Sequence, residues 1–506
     1  MSVGQMLGKR MRWILLGLLS LALSADAAAR PFMVVVYNVE NLVDADGRTH
    51  FDDYQPPHYT PAHALTKLQN IARVVARFEG GRGPDILLLQ EIETDFTPSA
   101  ARPDYDAILR RYAGLTIEDM LGPRFDAAIA DLPAEALLAK AFADRGLTGY
   151  RIVAADVLAA PGTRPLAQKC VVFTRFPVLA ARVHPTTEAR AILEVKVDAD
   201  GAPLYLFDNH WKAGADDPAA ERIRLANART LRTRLDEILA ADPHADVIVG
   251  GDFNSEYNQN RRHRRTMPET GLNDVLGSQG NELSVRGPKT LYNLWYELPA
   301  AERGSDWYRG AWGTLMQLMI TRGLYDYRGV QYVDDSFGVA KLAGLNMDAQ
   351  GRPLRWSFDG PAGAGFSDHF PLYAKFVTVR DNRPDEYLSL RDASVEPAEP
   401  ASDASVDPAP PDLSKAVTSA QVPSGVSIRS AEYQGRIFRV EGRVGRGRKL
   451  TVQFRGESYE IWSFDAALRD RLRRQYPAGS TIRFYGELGR FKERWQFVIH
   501  DESWVK

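Results

Sequence analysis

Four apolar runs in this chain end in acids and amides, and a fifth polar cluster immediately precedes another such run. The clearest is Val247-Ile-Val-Gly-Gly-Asp-Phe-Asn254. A strand sends successive side chains to opposite faces. If that geometry continues past the glycines, Asp252 and Asn254 point one way and Phe253 points back into the protein. The glycines would let a substrate come close to the backbone. Taken alone, the stretch also reads as an ordinary strand exit, because Asp and Asn are common turn residues. The other runs argue for more. Met33–Tyr37 leads into Asn38, Glu40 and Asn41; Ile86–Leu89 into Gln90, Glu91 and Glu93; Leu204–Phe207 into Asp208, Asn209, His210 and Lys212. Ser367-Asp-His369 stands just before Phe370-Pro-Leu-Tyr-Ala. Polar groups at the ends of several buried strands are costly unless paired or bound to a cation. One shared polar pocket at one sheet edge accounts for them together.

A chain of 506 residues is expected to form two or three domains. Residues 1–29 read as a signal peptide: Lys9, Arg10 and Arg12, the apolar Trp13–Leu23, then small residues through Ala29. The apolar stretch is short for a membrane span, so no stable span is expected after cleavage, although an uncleaved anchor is the alternative. The expected location is periplasmic or extracellular. The single cysteine, Cys170, excludes an intrachain disulfide and reads as a core residue in Lys169–Phe173.

The first domain is expected over 30–380. Leu65, Leu68, Ile71, Val74, Val75 and Phe78 recur at helical spacing, with Lys67, Arg73 and Arg77 off that face. Strands are expected at Arg151–Val157, Lys169–Thr174, Ala191–Val197 and Thr314–Thr321, and a long helix at about Ala219–Leu239; Phe366–Phe376 contains the last cluster. Tyr257–Arg265 is polar and basic, so Arg261 and Arg262 could meet a polyanion beside the pocket; a solvated loop is the plainer reading. Residues 381–423 form a linker with Pro, Ala and acids enriched in Arg391–Pro411. Over 424–506, short strands at Ile437–Val444, Leu450–Phe454, Tyr459–Phe464, Thr481–Leu488 and Trp495–His500, with a helix at Ala466–Arg474, predict a small antiparallel barrel. The formal net charge of -2 hides an asymmetry: residues 424–506 hold 17 Lys and Arg against 10 Asp and Glu, so the tail is basic and the rest acidic.

Carboxylates and amides from separate strand ends suit a hard cation with oxygen ligands. Mg²⁺ fits best, with Mn²⁺ or Ca²⁺ as alternatives. Zinc fits less well, since two of the nine histidines lie in the clusters and neither has a partner at zinc spacing. Histidines beside such a metal can hold or protonate a phosphate oxygen, and a carboxylate can orient or deprotonate water. The set fits metal-assisted hydrolysis of a phosphate ester.

In this order, the clusters resemble the endonuclease/exonuclease/phosphatase superfamily, whose members look like deoxyribonuclease I. The matching segments are Tyr37–Leu42, Leu89–Glu93, Asn209-His-Trp-Lys212, Gly251–Asn254 and Ser367–His369, and the likeness covers about Pro31–Val379. It implies a four-layer α/β sandwich, two mixed sheets packed face to face with helices outside. It implies Glu91 as principal metal ligand, assisted by Glu40 and Asp368, with Asn38 close to metal and phosphate. Asp252 would orient or activate the attacking water, and Asn254 would position it. His210 and His369 would contact the scissile phosphate, with Asn209 and Lys212 as substrate contacts. One position departs from the family pattern. Where the family has an acid that holds the last histidine, this chain has Met316, which accepts no strong hydrogen bond. Gln317, Asp306 or Asp359 could substitute.

The tail resembles an OB-fold, and its Phe438, Phe454, Tyr459, Trp462, Tyr485 and Trp495 alternate with arginines. Such a surface stacks bases and tracks phosphates, although about half of these aromatics are expected in the barrel core. The leading expectation is an exported, Mg²⁺-dependent nuclease acting on nucleic acid, DNA favoured, and an endonuclease. The alternatives are a phosphodiesterase acting on a lipid or other small phosphate ester and a nucleic-acid-binding protein whose catalytic half has decayed.

Overall fold

The computed structural model describes residues 31–97, 103–156, 166–280, 287, 289–308, 310–379, 382–383, 386–388, 390 and 413–506, the last without 431, 432, 448, 464, 492 and 493. The expected signal peptide and the Pro- and acid-enriched part of the expected linker, Arg391–Pro411, lie outside the described residues. Among the described residues, no helix is long and apolar enough to cross a membrane.

Two seven-stranded sheets form the larger part. The first comprises β1 (Phe32–Leu42), β2 (Ile86–Glu93), β3 (Arg151–Ala154), β4 (Gln168–Thr174), β14 (Val330–Tyr332), β15 (Gly338–Val339) and β16 (Leu372–Thr378). The second comprises β5 (Val178–His184), β6 (Ile192–Ala199), β7 (Ala202–His210), β8 (Asp246–Asp252), β9 (Ser278–Gln279), β10 (Leu291–Asn293) and β13 (Met316–Ile320). A separate hairpin pairs β11 (Asp306–Tyr308) with β12 (Ala311–Gly313).

Alternation along β1 builds the layers. Phe32, Val34 and Val36 pack with Leu193, Leu204, Leu206 and Ile248 of the second sheet. Met33, Val35, Tyr37 and Val39 point the other way, onto the helices Pro61–Val75 and Ala134–Asp144. Behind the second sheet, Leu231, Leu235 and Ile238 of the helix Pro218–Ala241 pack on Phe207, Val247 and Val249. The order is helices, sheet, sheet, helix: the expected αββα sandwich. Cys170 is buried between the sheets.

Strand direction places the polar clusters. β1 runs parallel to β2, and β7 parallel to β8 with His210 opposite Asp252. These four strands therefore end at one edge. β16 runs antiparallel to β1 with Val36 opposite Leu372, so its start lies at that same edge. This explains why Asp368 and His369 precede their strand whereas the other clusters follow theirs. Within Phe366–Phe376 the strand begins at Leu372, because the residues before it are coil that joins a long excursion, Ala340–Phe366. β5 was not anticipated; it is an edge strand whose Leu179–Val183 is mostly exposed and lacks a clear apolar alternation.

The glycines of β8 serve packing. A Cβ at Gly250 would press on Val36 and Leu88 of the facing sheet, and one at Gly251, at φ +135°, would collide with the Asn209 backbone. That corrects the reading in which these glycines admit substrate.

At the C-terminal end, β17 (Ile437–Val444), β18 (Thr451–Phe454), β19 (Glu457–Trp462), β20 (Thr481–Phe491) and β21 (Arg494–Val498) close a barrel in the order β17-β18-β19-β21-β20. β19 and β21 pair in parallel, and the helix Ala466–Gln475 lies between β19 and β20 in sequence. Phe438, Phe454 and Tyr459 fill its core, whereas Trp462, Tyr485 and Trp495 remain partly exposed.

One ion pair fastens the outer helix to the second sheet. Glu194 accepts from Arg234 Nε and Nη2, both at 2.9 Å, and from His184 Nε2 at 2.7 Å. Burial would raise its pKa, but the bonds from His184 and Arg234 outweigh that and hold it down at about 2. Glu194→Gln is expected to cost about 2 kcal/mol in urea unfolding. Because the folded-state pKa is depressed, this stabilisation is complete above the unfolded value of about 4.3. It is lost as pH falls through the folded value. The wild-type advantage should therefore be full at neutral pH and shrink between about pH 4 and about pH 2; an advantage constant over that window contradicts the assignment.

Candidate active site

Asn38 joins the two sheets at the polar edge. Its buried Nδ2 donates to Glu91 Oε1 at 3.0 Å within its own sheet and to Asp252 Oδ2 at 2.9 Å in the other. Its Oδ1 accepts from Glu40 N at 2.9 Å, and its carbonyl accepts from Ser367 Oγ at 2.6 Å. The chain turns sharply here: Glu40, Asn41, Glu91 and Asn254 have φ of 51°, 57°, 64° and 48°. Non-glycine residues enter this region at a cost and cluster at functional sites. Those turns fold the carboxylates back over the strand ends.

The remaining groups gather around that amide. Asp252 Oδ1 accepts from Asn254 N at 2.9 Å, and Asn254 Nδ2 donates to Trp211 O at 3.2 Å. Phe253 turns inward and packs on Trp211. His210 Nε2 lies 3.8 Å from both Glu91 Oε1 and Asp252 Oδ2. His369 Nε2 lies 3.7 Å from Asp252 Oδ2 and 3.7 Å from Asp368 Oδ1. Glu91, His210 and Asp252 each offer a ligand atom within 4.8 Å of the others, a group able to hold a metal ion. An oxygen-rich set with one imidazole and no thiolate fits a divalent cation. Glu40 and Asp368, expected to assist Glu91, share a cation of the protein's own, Arg355.

Burial and mutual repulsion set the charges. Burial, then Asp368, pushes the Glu40 carboxyl up to about 7, and the same two causes lead the upward shift of Glu91. Burial also drives Asp208 well up, and its carboxyl accepts from Gln90 Nε2 at 2.6 Å. The histidines diverge. Burial, with Arg190 and His369 nearby, holds His210 well below the usual range, so its imidazole is neutral at pH 7. Burial would lower His369 too, but Asp368, Asp252, Asp306 and Glu91 outweigh it and hold it up at about 9. The site thus pairs a neutral imidazole with an imidazolium.

Other expected contacts lie elsewhere. Asn209 was expected on the substrate, but alternation along β7 turns it to the opposite face from His210. Its Nδ2 donates to Gly250 O at 3.1 Å and its Oδ1 accepts from Trp211 Nε1 at 3.2 Å. Lys212 is partly exposed just past β7, and its carbonyl accepts from Arg224. Arg262 pairs with Glu256 at 3.1 Å, while Arg261 is exposed on the same short helix, Gln259–Arg262.

Three cations were missed. Lys67, expected off the apolar face, is fully buried and donates to Phe366 O at 2.6 Å. Burial lowers its pKa to about 8 against the pull of Glu40, Asp368 and Glu91. Arg190 bonds the Gln168 amide beside the site, and Arg355 spans Glu40 and Asp368. None belongs to a polar cluster at a strand end.

Met316 is buried between the sheets, opposite Asp252. The nearby acid comes from the hairpin. Asp306 is buried, its backbone bridges to His369, and its Oδ1 accepts from Leu315 N at 3.2 Å and Ser305 Oγ at 3.1 Å. Gln317 instead bonds Ser255 O and Thr314 O, and Asp359 bonds Ser357 and Arg490.

Residues 169–378 match the model of the Endonuclease/Exonuclease/phosphatase family. No curated protein matches the chain. Among solved structures, the chain is similar to TDP2 from Caenorhabditis elegans, with 16% identity, 69% of this chain and 75% of that one covered, and a TM-score of 0.37. It is similar to the human Nocturnin catalytic domain, with 16% identity, 69% and 95% covered, and a TM-score of 0.36. An endonuclease/exonuclease/phosphatase family protein from Bacteroides thetaiotaomicron gives 14% identity, 71% and 99% covered, and a TM-score of 0.39.

The charge assignment is open to direct measurement. In NMR titration of the metal-free protein, His210 should stay neutral through neutral pH while His369 keeps its proton until about pH 9. Asp306→Asn should lower the His369 value and leave His210 nearly unmoved. Equal titration of both rings near the unperturbed value would refute the assignment.

Proposed function

We infer that this chain, which carries an endonuclease/exonuclease/phosphatase-family domain and with it the fold of a phosphodiester hydrolase, is a metal-dependent nuclease. One observation carries the reading: Asn38, Glu91, His210, Asp252 and His369 from four strand ends and one strand start converge on a single point between two sheets. Glu91, with His210, would hold the cation beside Asp252, and Mg²⁺ is its proposed identity. When bound, it would supply positive charge to a phosphate oxygen and lower the pKa of water.

The protein's own groups account for the rest. The Asn38 amide and the Asn254 N–H fix the Asp252 carboxylate, leaving it to orient and accept a proton from water. His369, held protonated, offers an N–H to the charge that develops on phosphorus oxygens. His210, held neutral, can ligate through a ring nitrogen without first losing a proton.

Nucleic acid is the proposed substrate, DNA favoured, with endonucleolytic cleavage. The barrel's strand order and the helix between its third and fourth strands support an OB-type barrel. Its partly exposed aromatics each carry a cation: Arg469 4.3 Å over Trp462, Lys506 5.4 Å over Tyr485 and Arg490 5.8 Å over Trp495. Such pairs suit stacked bases beside phosphates. Export to the periplasm or medium is proposed from the N-terminal sequence alone. A lipid or small phosphate ester is the second reading, and Tyr308 favours it: it is 50% exposed on the hairpin whose Asp306 adjoins His369.

The test is cleavage of supercoiled plasmid, linear duplex and RNA with Mg²⁺ and with chelator, beside Glu91→Ala. Metal-dependent plasmid nicking that falls about a hundredfold or more in the variant is expected. A folded protein that cleaves phospholipid but no nucleic acid supports the second reading. One that cleaves no phosphodiester refutes both.

A further inference from the structure

Arg355 enters the carboxylate cluster from outside both sheets. Its Nη2 donates to Glu40 Oε1 at 3.2 Å and to Asp368 Oδ2 at 3.3 Å, yet the side chain is 51% exposed. A guanidinium has five N–H donors in a planar fork. The bonds to Glu40 and Asp368 occupy one nitrogen, and half of the side chain still faces solvent at the rim of the site.

The excursion that carries it is held from two directions. On the sandwich side, Trp356 N donates to Glu40 Oε2 at 2.8 Å, Lys67 Nζ to Phe366 O at 2.6 Å and Asn70 Nδ2 to Gly365 O at 2.7 Å. On the barrel side, Arg352 Nη1 donates to Gly435 O at 2.7 Å. Arg490 of β20 reaches back to Ser357 Oγ at 3.1 Å and ion-pairs with Asp359. Glu487 of the same strand is also close enough to attract Arg355, after Glu40 and Asp368. Two arginines, one on each side of the seam, therefore bracket the residue that touches the site.

We propose that Arg355 is a substrate-binding residue that contacts the phosphate of the diester, and that barrel docking through Arg490 positions it. This rests on the phosphodiesterase reading above. The nitrogens not engaged by Glu40 and Asp368 belong to a planar fork that suits the oxygens of an anionic diester.

The experiment compares wild type, Arg355→Ala, Arg355→Lys and Arg490→Ala on bis(4-nitrophenyl) phosphate and on plasmid at saturating Mg²⁺. Metal concentration for half-maximal activity, thermal melting, and anisotropy of a fluorescein-labelled oligothymidylate in chelator are measured alongside. For Arg355→Ala, kcat/KM should fall roughly ten- to a hundredfold, mainly through KM, with melting and metal requirement little changed. Arg355→Lys should fall between, since a point charge replaces the fork. Arg490→Ala should raise KM for the small diester, which is too short to span the barrel. Oligothymidylate should bind Arg355→Ala almost as well as wild type, because the barrel carries most of that affinity.

Unchanged KM in Arg355→Ala overturns the substrate role, as does a defect that extra Mg²⁺ abolishes. A defect in Arg355→Ala without one in Arg490→Ala overturns the positioning role of the barrel. If Arg355→Ala unfolds, Arg355→Lys decides: wild-type KM rejects the bidentate contact. A wild type that cleaves no diester sinks the nuclease and phosphodiesterase readings, and this proposal with them; active wild type with indifferent variants sinks this proposal alone.

Discussion

The side-chain amide of Asn38 is the bond on which the rest of the site depends. One nitrogen donates to a carboxylate in its own sheet and to a carboxylate in the facing sheet. Sandwiches of this kind are held by side chains that interdigitate over a wide area, and that packing sets the distance between sheets without fixing the strand ends laterally. The Asn38 bonds supply that constraint. An amide suits the task because it offers two donors and a carbonyl together. The carbonyl takes Glu40 N, which sets the turn that places Glu40 above the strand end. Replacing the amide by a carboxylate would put three anions in contact and remove both donors.

Charge is the second constraint, and it follows from the first. Glu40, Glu91, Asp252, Asp306 and Asp368 occupy a small buried volume, where uncompensated anions are expensive. The protein answers with Lys67 beneath, Arg355 at the rim and His369 between. These cations come from a helix before β2, an excursion before β16 and the start of β16, so the compensating charge is assembled from distant parts of the chain. Burial lowers both histidines, and the charged groups around each decide the rest. His369 sees four carboxylates, whereas His210 sees Arg190 and His369 among the groups that shift it. Residues of one type thus acquire different charge states from position alone.

These dependencies explain what the sequence disclosed. The strand ends were legible because alternation is a local property, and a run of Val, Ile and Leu that stops at an acid marks where a strand leaves the core. The layer order followed for the same reason: even and odd positions of β1 are apolar alike, which only a strand covered on both faces requires. The same rule would have removed Asn209 from the substrate contacts, since it alternates with His210. Lys67 could not be read as buried from helix spacing. Its partner, Phe366 O, is 299 residues away, and nothing near Lys67 records it. Arg355 and Asp306 were obscured similarly, lying in an excursion and a hairpin without strong periodicity. The Met316 position marks the limit well. The motif reported a missing acid, but that a carboxylate from β11 lies near His369 is a fact of tertiary structure.

The barrel's place follows from the same reasoning carried one step further. A basic module on a Pro- and acid-rich tether needs no particular docking to concentrate a polyanion near a site, since a flexible link alone raises the effective concentration. Docking becomes worthwhile where geometry has to be transmitted. Here the barrel bonds the excursion on either side of Arg355, at Arg352 and at Ser357 and Asp359. Excursions without regular secondary structure are ordinarily the mobile part of a fold. This one is instead joined to the helix Pro61–Val75 at one end and to β20 in its middle. Precision at the catalytic rim therefore rests on contacts from both domains. Two surfaces that look separable in sequence, an acidic sandwich and a basic barrel, meet on the excursion that carries Arg355, whose guanidinium contacts the carboxylates of the site.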